Sequence, residues 1–346
     1  MFELLGTRGC HLILISMLLA LPGGPVLSQQ TGGNHKNPPA CWQFAKMKVP
    51  EADLPTEQDR KTLASCDSEK LYFGFAQPAR PEDARRCAYL ERERGEGLPQ
   101  KVFGAAGLLT MIYANGKGAA RNFDLALKFA CEVDGAPAEN EARFDHLLKL
   151  KEEHWTGDDF NLCDDATSGL MQGWCADLRE NFDQVVRTKR LKNVTEKWNG
   201  ADKKAFLKLQ QAASAFFGAR AENEVDLTGT GRAAWEIEAR ATLEDNFAAA
   251  LEKLDRGELP DFSAEEFTKA DAELNRVYSE IQREKTDSKA SLASVTPEKI
   301  RIAQLAWLRY REAWVKFGKL KYPGISPNSW RTWLTLERIK MLQALN

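Results

Sequence analysis

Histidine is scarce in this chain, with four in 346 residues. His11 lies in an apolar N-terminal run, so His35, His146 and His154 are left for acid–base or metal chemistry. The sequence has no His-Glu-x-x-His helix, no Gly-x-Ser-x-Gly elbow and no glycine-rich phosphate loop, which excludes the sites built on those devices. Gly116-Lys117-Gly118 is too short to cradle a phosphate. A pair of distant carboxylates meeting in a cleft stays open, but fifty Asp and Glu residues single out no pair. An excess of one charge is also lacking. Lys and Arg total 48 against 50 acidic residues, for a net charge of -2, and that balance argues against a nucleic-acid surface. Zinc is disfavoured because no short Cys-x-x-Cys or matching His pair occurs. His146 and His154, with Glu152, Glu153 and Asp158 nearby, read as a solvated charged helix face and not as a metal site. We expect no cofactor, no metal and no catalytic residue.

Only one stretch is apolar for long, His11 to Leu21, and it is shorter than the ~20 residues a bilayer span needs. Arg8 precedes it, with Glu3 opposing. Pro22, Gly23, Gly24 and Pro25 break it, and Val26-Leu27-Ser28 offers a cleavage site after Ser28. Residues 1–28 thus read as a signal peptide, with no lipid anchor because Cys10 precedes the run. Residues 29–40, polar and rich in Gly and Pro, read as a flexible leader. No later run is long enough to insert in a membrane.

Six cysteines follow: Cys41, Cys66, Cys87, Cys131, Cys163 and Cys175. An even count in an exported chain implies disulfides, although six cysteines allow 15 pairings. Spacing favours neighbours: Cys41–Cys66, Cys87–Cys131 and Cys163–Cys175. Nothing past Cys175 can be cross-linked.

Helix formers dominate, and Val/Ile/Thr alternation is missing, so the fold class is all-α. Residues 104–131 read as a helix, a turn ended by Asn115-Gly116, and a second helix with Phe123, Ala126, Leu127 and Ala130 inward. Gly107, Leu108, Tyr113, Gly116, Gly118 and Ala126 resemble a Sel-one-like repeat, the tetratricopeptide-related helix pair. That resemblance implies a protein-interaction scaffold, with flanks 80–98 and 136–152 packing on it. Further on, Ser263 to Glu266 reads as a capping box, and Thr296-Pro297 and Ser326-Pro327 as helix starts. Ala303, Trp307, Tyr310, Trp314 and Phe317 form one buried stripe of a straight helix.

Residues 267–345 resemble the LprI-type lysozyme-inhibitor domain. The resemblance rests on Asp271, Leu274, Asn275 and Tyr278, then Gln304, Trp307, Tyr310 and Arg311, then Trp330, Leu334, Arg338 and Leu342. It departs where the family often carries a cysteine, since Trp314 stands there, so Trp307, Trp314, Trp330 and Trp333 must hold the domain by packing. Residues 161–255 read as a diverged copy, with Leu178, Gln210, Phe216, Arg240 and Leu243 at the places of Leu274, Gln304, Tyr310, Arg338 and Leu342. In that span Asp226, Thr228, Thr230 and Arg232 form either a contact loop or a set of capping and turn residues.

The expected organisation is therefore a helical region at 41–155, a helical domain at 156–258 and an LprI-like domain at 259–346. One Sel-one-like unit would precede one or two small helical bundles. The resemblance implies a bacterial periplasmic or secreted binding protein whose partner is a lysozyme-type glycosidase or another envelope protein. An envelope scaffold and a cell-wall-active enzyme are the rival readings.

Overall fold

The computed structural model describes residues 41–75, 77–95, 104–287 and 295–345. The expected signal peptide and flexible leader lie outside the described residues. Within them there are helices and no strand. The N-terminal helices are α1 (Cys41–Ala45), α2 (Glu57–Thr62), α3 (Ser68–Phe73), α4 (Pro81–Glu93), α5 (Gly104–Asn115), α6 (Phe123–Ala130) and α7 (Pro137–Glu152). The longer C-terminal helices are α8 (Gly169–Thr195), α9 (Gly200–Asn223), α10 (Arg232–Asp255), α11 (Ala264–Asp287), α12 (Pro297–Lys321) and α13 (Pro327–Gln343).

Two hydrophobic cores form, one from residues between Cys41 and Cys175 and one from residues between Val194 and Leu342. Helix α5 is the centre of the first. Its sequence carries no charge, and every residue from Leu108 to Asn115 is buried. Helix α4 packs on α5, α5 on α6, and α6 on α7, so the helices α4 and α7 of the two expected flanks pack on the helix pair. Gly116 ends α5 at a φ of 65°, a left-handed conformation that a side chain disfavours. The buried Asn115 amide donates to the Phe160 carbonyl at 2.9 Å and to the Tyr72 hydroxyl at 3.1 Å. It therefore ties the chain beyond α7 to the same core.

Three disulfides cross-link this first core: Cys41–Cys131, Cys66–Cys87 and Cys163–Cys175. The expected pairings Cys41–Cys66 and Cys87–Cys131 are corrected. Helix α1 lies against α6, which brings Cys41 to Cys131 at the end of α6, with 5.9 Å between their Cα atoms. Helix α3 lies against α4, which brings Cys66 to Cys87. Sequence nearness does not decide proximity when the helices between two cysteines fold back on other neighbours.

The second core holds the aromatic stripe. Trp307, Trp314, Trp330 and Phe317 are each 1% exposed or less. Trp314 stacks parallel to Trp330 at 6.0 Å and meets Trp333 edge-on at 5.3 Å. Trp330 fits because Gly318 faces it; a Cβ there would fall 2.4 Å from the indole. Helix α8 packs on α10, α9 on α12, and α11 on α13. The boundary expected between 258 and 259 falls inside this shared core, and the one expected at 155 falls inside the first. The helix starts follow local chemistry. Ser263 and Glu266 cap each other through 2.7 and 3.1 Å bonds, and Thr296 and Ser326 accept from Lys299 and Asn328.

Two stability outcomes are expected. Trp307→Ala costs ~3–5 kcal/mol, read by chemical denaturation; a loss below ~1 kcal/mol contradicts its central place. Cys41 and Cys131 close a span of 90 residues, against 21 for Cys66 and Cys87. Loop entropy then makes loss of the longer cross-link costlier by about 1 kcal/mol, measured by comparing the two double Ser variants.

Candidate functional site: an aromatic cleft backed by a buried ion pair

Helices α9, α10, α12 and α13 leave a cleft of about 380 Å³ between them, which Glu258, Leu259, Pro260 and Phe262 also line. Phe216 and Phe217 come from α9, Phe247 from α10, Trp307 and Tyr310 from α12, and Trp333 from α13. The cleft exists because α10 presents Ala249 and Ala250 where larger side chains would fill it. Phe216 stacks on Tyr310 at 5.3 Å, and Phe217 meets the same ring edge-on at 5.6 Å. Burial pushes the Tyr310 hydroxyl well above the usual phenol range. Asn246, Lys253, Glu258 and Glu337 supply the polar rim.

Behind this cleft lies a buried charge network. Arg338 on α13 donates to both carboxylate oxygens of Glu224, one at 2.7 Å, and both side chains are fully buried. The Arg338 Nε–H donates to the Gln304 amide oxygen at 2.9 Å. Its guanidinium also lies 5.7 Å over the Phe216 ring. Arg220 approaches Glu224 at 3.6 Å, and burial lowers the Arg220 pKa while Glu224 opposes that. Guanidinium and carboxylate match in a bidentate fork, and neither charge can be removed alone without leaving the other uncompensated in a dry core.

The motif residues named from the sequence divide between places. Trp307, Tyr310 and Leu334 line the cleft, and Gln304 and Arg338 form its backing network. Trp330 and Leu274 are buried in the core, Leu274 on α11. Asp271, Asn275 and Arg311 form a separate partly exposed group, with Asn275 donating to Asp271 at 3.3 Å and Arg311 at 3.5 Å from it. Arg311 also lies 4.9 Å over the Trp307 ring. Tyr278 is half-buried. Asp226, Thr228, Thr230 and Arg232 build a turn outside the cleft. Asp226 accepts from the Thr228 backbone and hydroxyl at 2.9 and 2.6 Å, and Arg232 donates to the Gly229 carbonyl at 3.3 Å. Backbone at Thr230 lies so near Gly169 that a Cβ there would meet it at 2.0 Å.

His146 hydrogen-bonds Asp165 through Nδ1 at 3.1 Å, and His154 makes no cluster with it. Among the described residues one His/Cys/Asp/Glu group has metal-like spacing, Cys66, Cys87 and Glu91; its two sulfurs are joined as a disulfide. Sequence reasoning missed Glu224 and Lys253. Glu224 carried no signal that set it apart from the other acidic residues, and Lys253 looked like any surface lysine.

The chain is thus an all-α, disulfide-bearing protein whose C-terminal helices enclose an aromatic cleft. Residues 248–342 match the family described as Lysozyme inhibitor LprI, and this segment is an LprI-like domain. The match covers α11, α12 and the end of α10, and most of α13, a little over a quarter of the chain. It leaves out α9 and Glu224. No curated protein and no solved structure matches the chain.

The network yields a prediction. Glu224→Gln strands the Arg338 charge and costs ~3–5 kcal/mol. Pairing Glu224→Met with Arg338→Met removes that pair and recovers part of the loss, since Arg220 also loses its counter-charge. Equilibrium unfolding of the three proteins checks it; a single-variant cost below ~1 kcal/mol overturns the account.

Proposed function

We propose that the protein is exported and acts by protein–protein contact, through its LprI-like domain, on a lysozyme-type glycosidase. The observation that carries this reading is the family match at residues 248–342. The three disulfides support an oxidising compartment such as the periplasm or the exterior. Among the described residues no helix is long and apolar enough to cross a membrane. Residues that approach a glycosidase in this reading are the partly exposed motif group Asp271, Asn275 and Arg311, which joins acid, amide and cation on one surface of α11 and α12. The mode of action is occlusion and not turnover.

A scaffold role for the N-terminal region is a second reading, favoured by the serial packing of α4, α5, α6 and α7. Reading residues 161–255 as a diverged copy has support in the parallel between α8 on α10 and α11 on α13. Arg240 sits at the surface beside Glu244 at 2.9 Å, whereas Arg338 is fully buried.

The purified protein is expected to slow lysis of a bacterial suspension by at least one of a c-type and a g-type lysozyme. Asp271→Lys is expected to weaken that effect about tenfold or more while leaving the unfolding midpoint near that of the parent. Unchanged lysis rates with both enzymes, at protein in tenfold excess, overturn the proposal.

A further inference from the structure

We propose that the aromatic cleft is a binding site for a single-chain amphiphile with a carboxylate head, the chemical class of a free fatty acid. Three observations converge on that ligand. The walls are aromatic and aliphatic: Phe216, Phe217, Phe247, Trp307 and Leu334 are almost fully buried yet border open space. Ligand sites of small amphiphiles have this character, concave and apolar with few polar groups. Most of the wall is α-helical, with backbone amides and carbonyls largely spent on one another, while Glu258, Leu259, Pro260 and Phe262 line it from a non-helical segment. A peptide or a sugar would surrender its own polar groups to a space offering few partners, and each unpaired group costs binding. An acyl chain has no such groups.

The third observation is charge. Lys253 stands at the rim and makes no ion pair among the described residues. Glu258 and Glu337 share that rim, but each is already engaged, by Arg256 at 2.8 Å and by Lys340 at 2.8 Å. Lys253 is thus the lining cation left without an ion-pair partner among the described residues. On α10, Asn246, Ala249, Ala250 and Lys253 follow one another at helical spacing. A chain lying over the two alanines thus finds an amide at one end and an ammonium at the other. In this pose the tail lies against the rings of α9 and α12 and the carboxylate meets Lys253.

The inference does not depend on the glycosidase reading, since it is tested by binding alone. The test is isothermal titration of the full chain with sodium dodecanoate below its micelle concentration, paired with tryptophan fluorescence. One-to-one saturable binding is expected, with a change in tryptophan emission because Trp307 and Trp333 border the site. Lys253→Met is expected to weaken binding about tenfold, the scale of one charge-assisted hydrogen bond. Ala250→Trp, which fills the cleft, is expected to abolish it. Both variants should unfold at nearly the parent midpoint, because both positions lie at an open space. Dodecyltrimethylammonium, with the same tail and the opposite head, should bind at least tenfold more weakly. Absence of saturable dodecanoate binding, equal affinity for the cationic amphiphile, or unchanged binding in both variants overturns the proposal.

Discussion

A guanidinium and a carboxylate buried together between α13 and the end of α9 govern how the C-terminal helices are arranged. Arg338 belongs to the segment that matches the LprI family, but Glu224, which neutralises it, lies outside that segment. A fully buried arginine is tolerable only when its charge is balanced and its N–H groups are satisfied. Glu224 and Gln304 do both. The consequence is structural. The LprI-like domain reaches back to α9 for its counter-charge, and α9 lies along α12. The packing of Phe216 on Tyr310 follows from the same placement, and that pair forms one wall of the cleft.

The two cores are stabilised by different means. The first is built from short helices and carries all three disulfides, which restrict the unfolded chain where the individual helices are too short to be stable alone. The second has no cross-link and relies on long helices and large rings. Trp314 stands at the position where a cysteine was expected from the family resemblance, and it contacts Phe247, Trp330 and Trp333. Aromatic burial on this scale contributes roughly 2–3 kcal/mol per side chain, comparable with a bridge of ~2–4 kcal/mol. Packing that dense also accounts for a cleft of defined shape. Rings held in place on α9, α12 and α13 leave a gap beside Ala249 and Ala250 of α10, because rigid neighbours do not collapse into it.

Local patterns in the sequence determined most of the secondary structure. The helical class followed from composition and spacing. The caps at Ser263, Thr296 and Ser326 followed from side chains that satisfy amides within three residues of themselves. The stripe from Ala303 to Phe317 followed from one helical period, and all five of its residues are buried. The C-terminal family resemblance was also legible, since three separated motif blocks fall within or beside residues 248–342. In each case the information lies within one helix or in residue order, where a linear pattern is sufficient.

Tertiary structure alone decided the rest. The pairing of Cys41 with Cys131 depends on α1 lying against α6, and no spacing rule encodes that. The partner of Arg338 is 114 residues away, one acid among fifty. The cleft is defined by what four helices leave empty, and a void has no sequence signature. Lys253 acquires meaning only because the neighbouring glutamates are already paired. Helices are written by short-range periodicity, whereas charge balance, cross-linking and empty space are properties of how those helices meet.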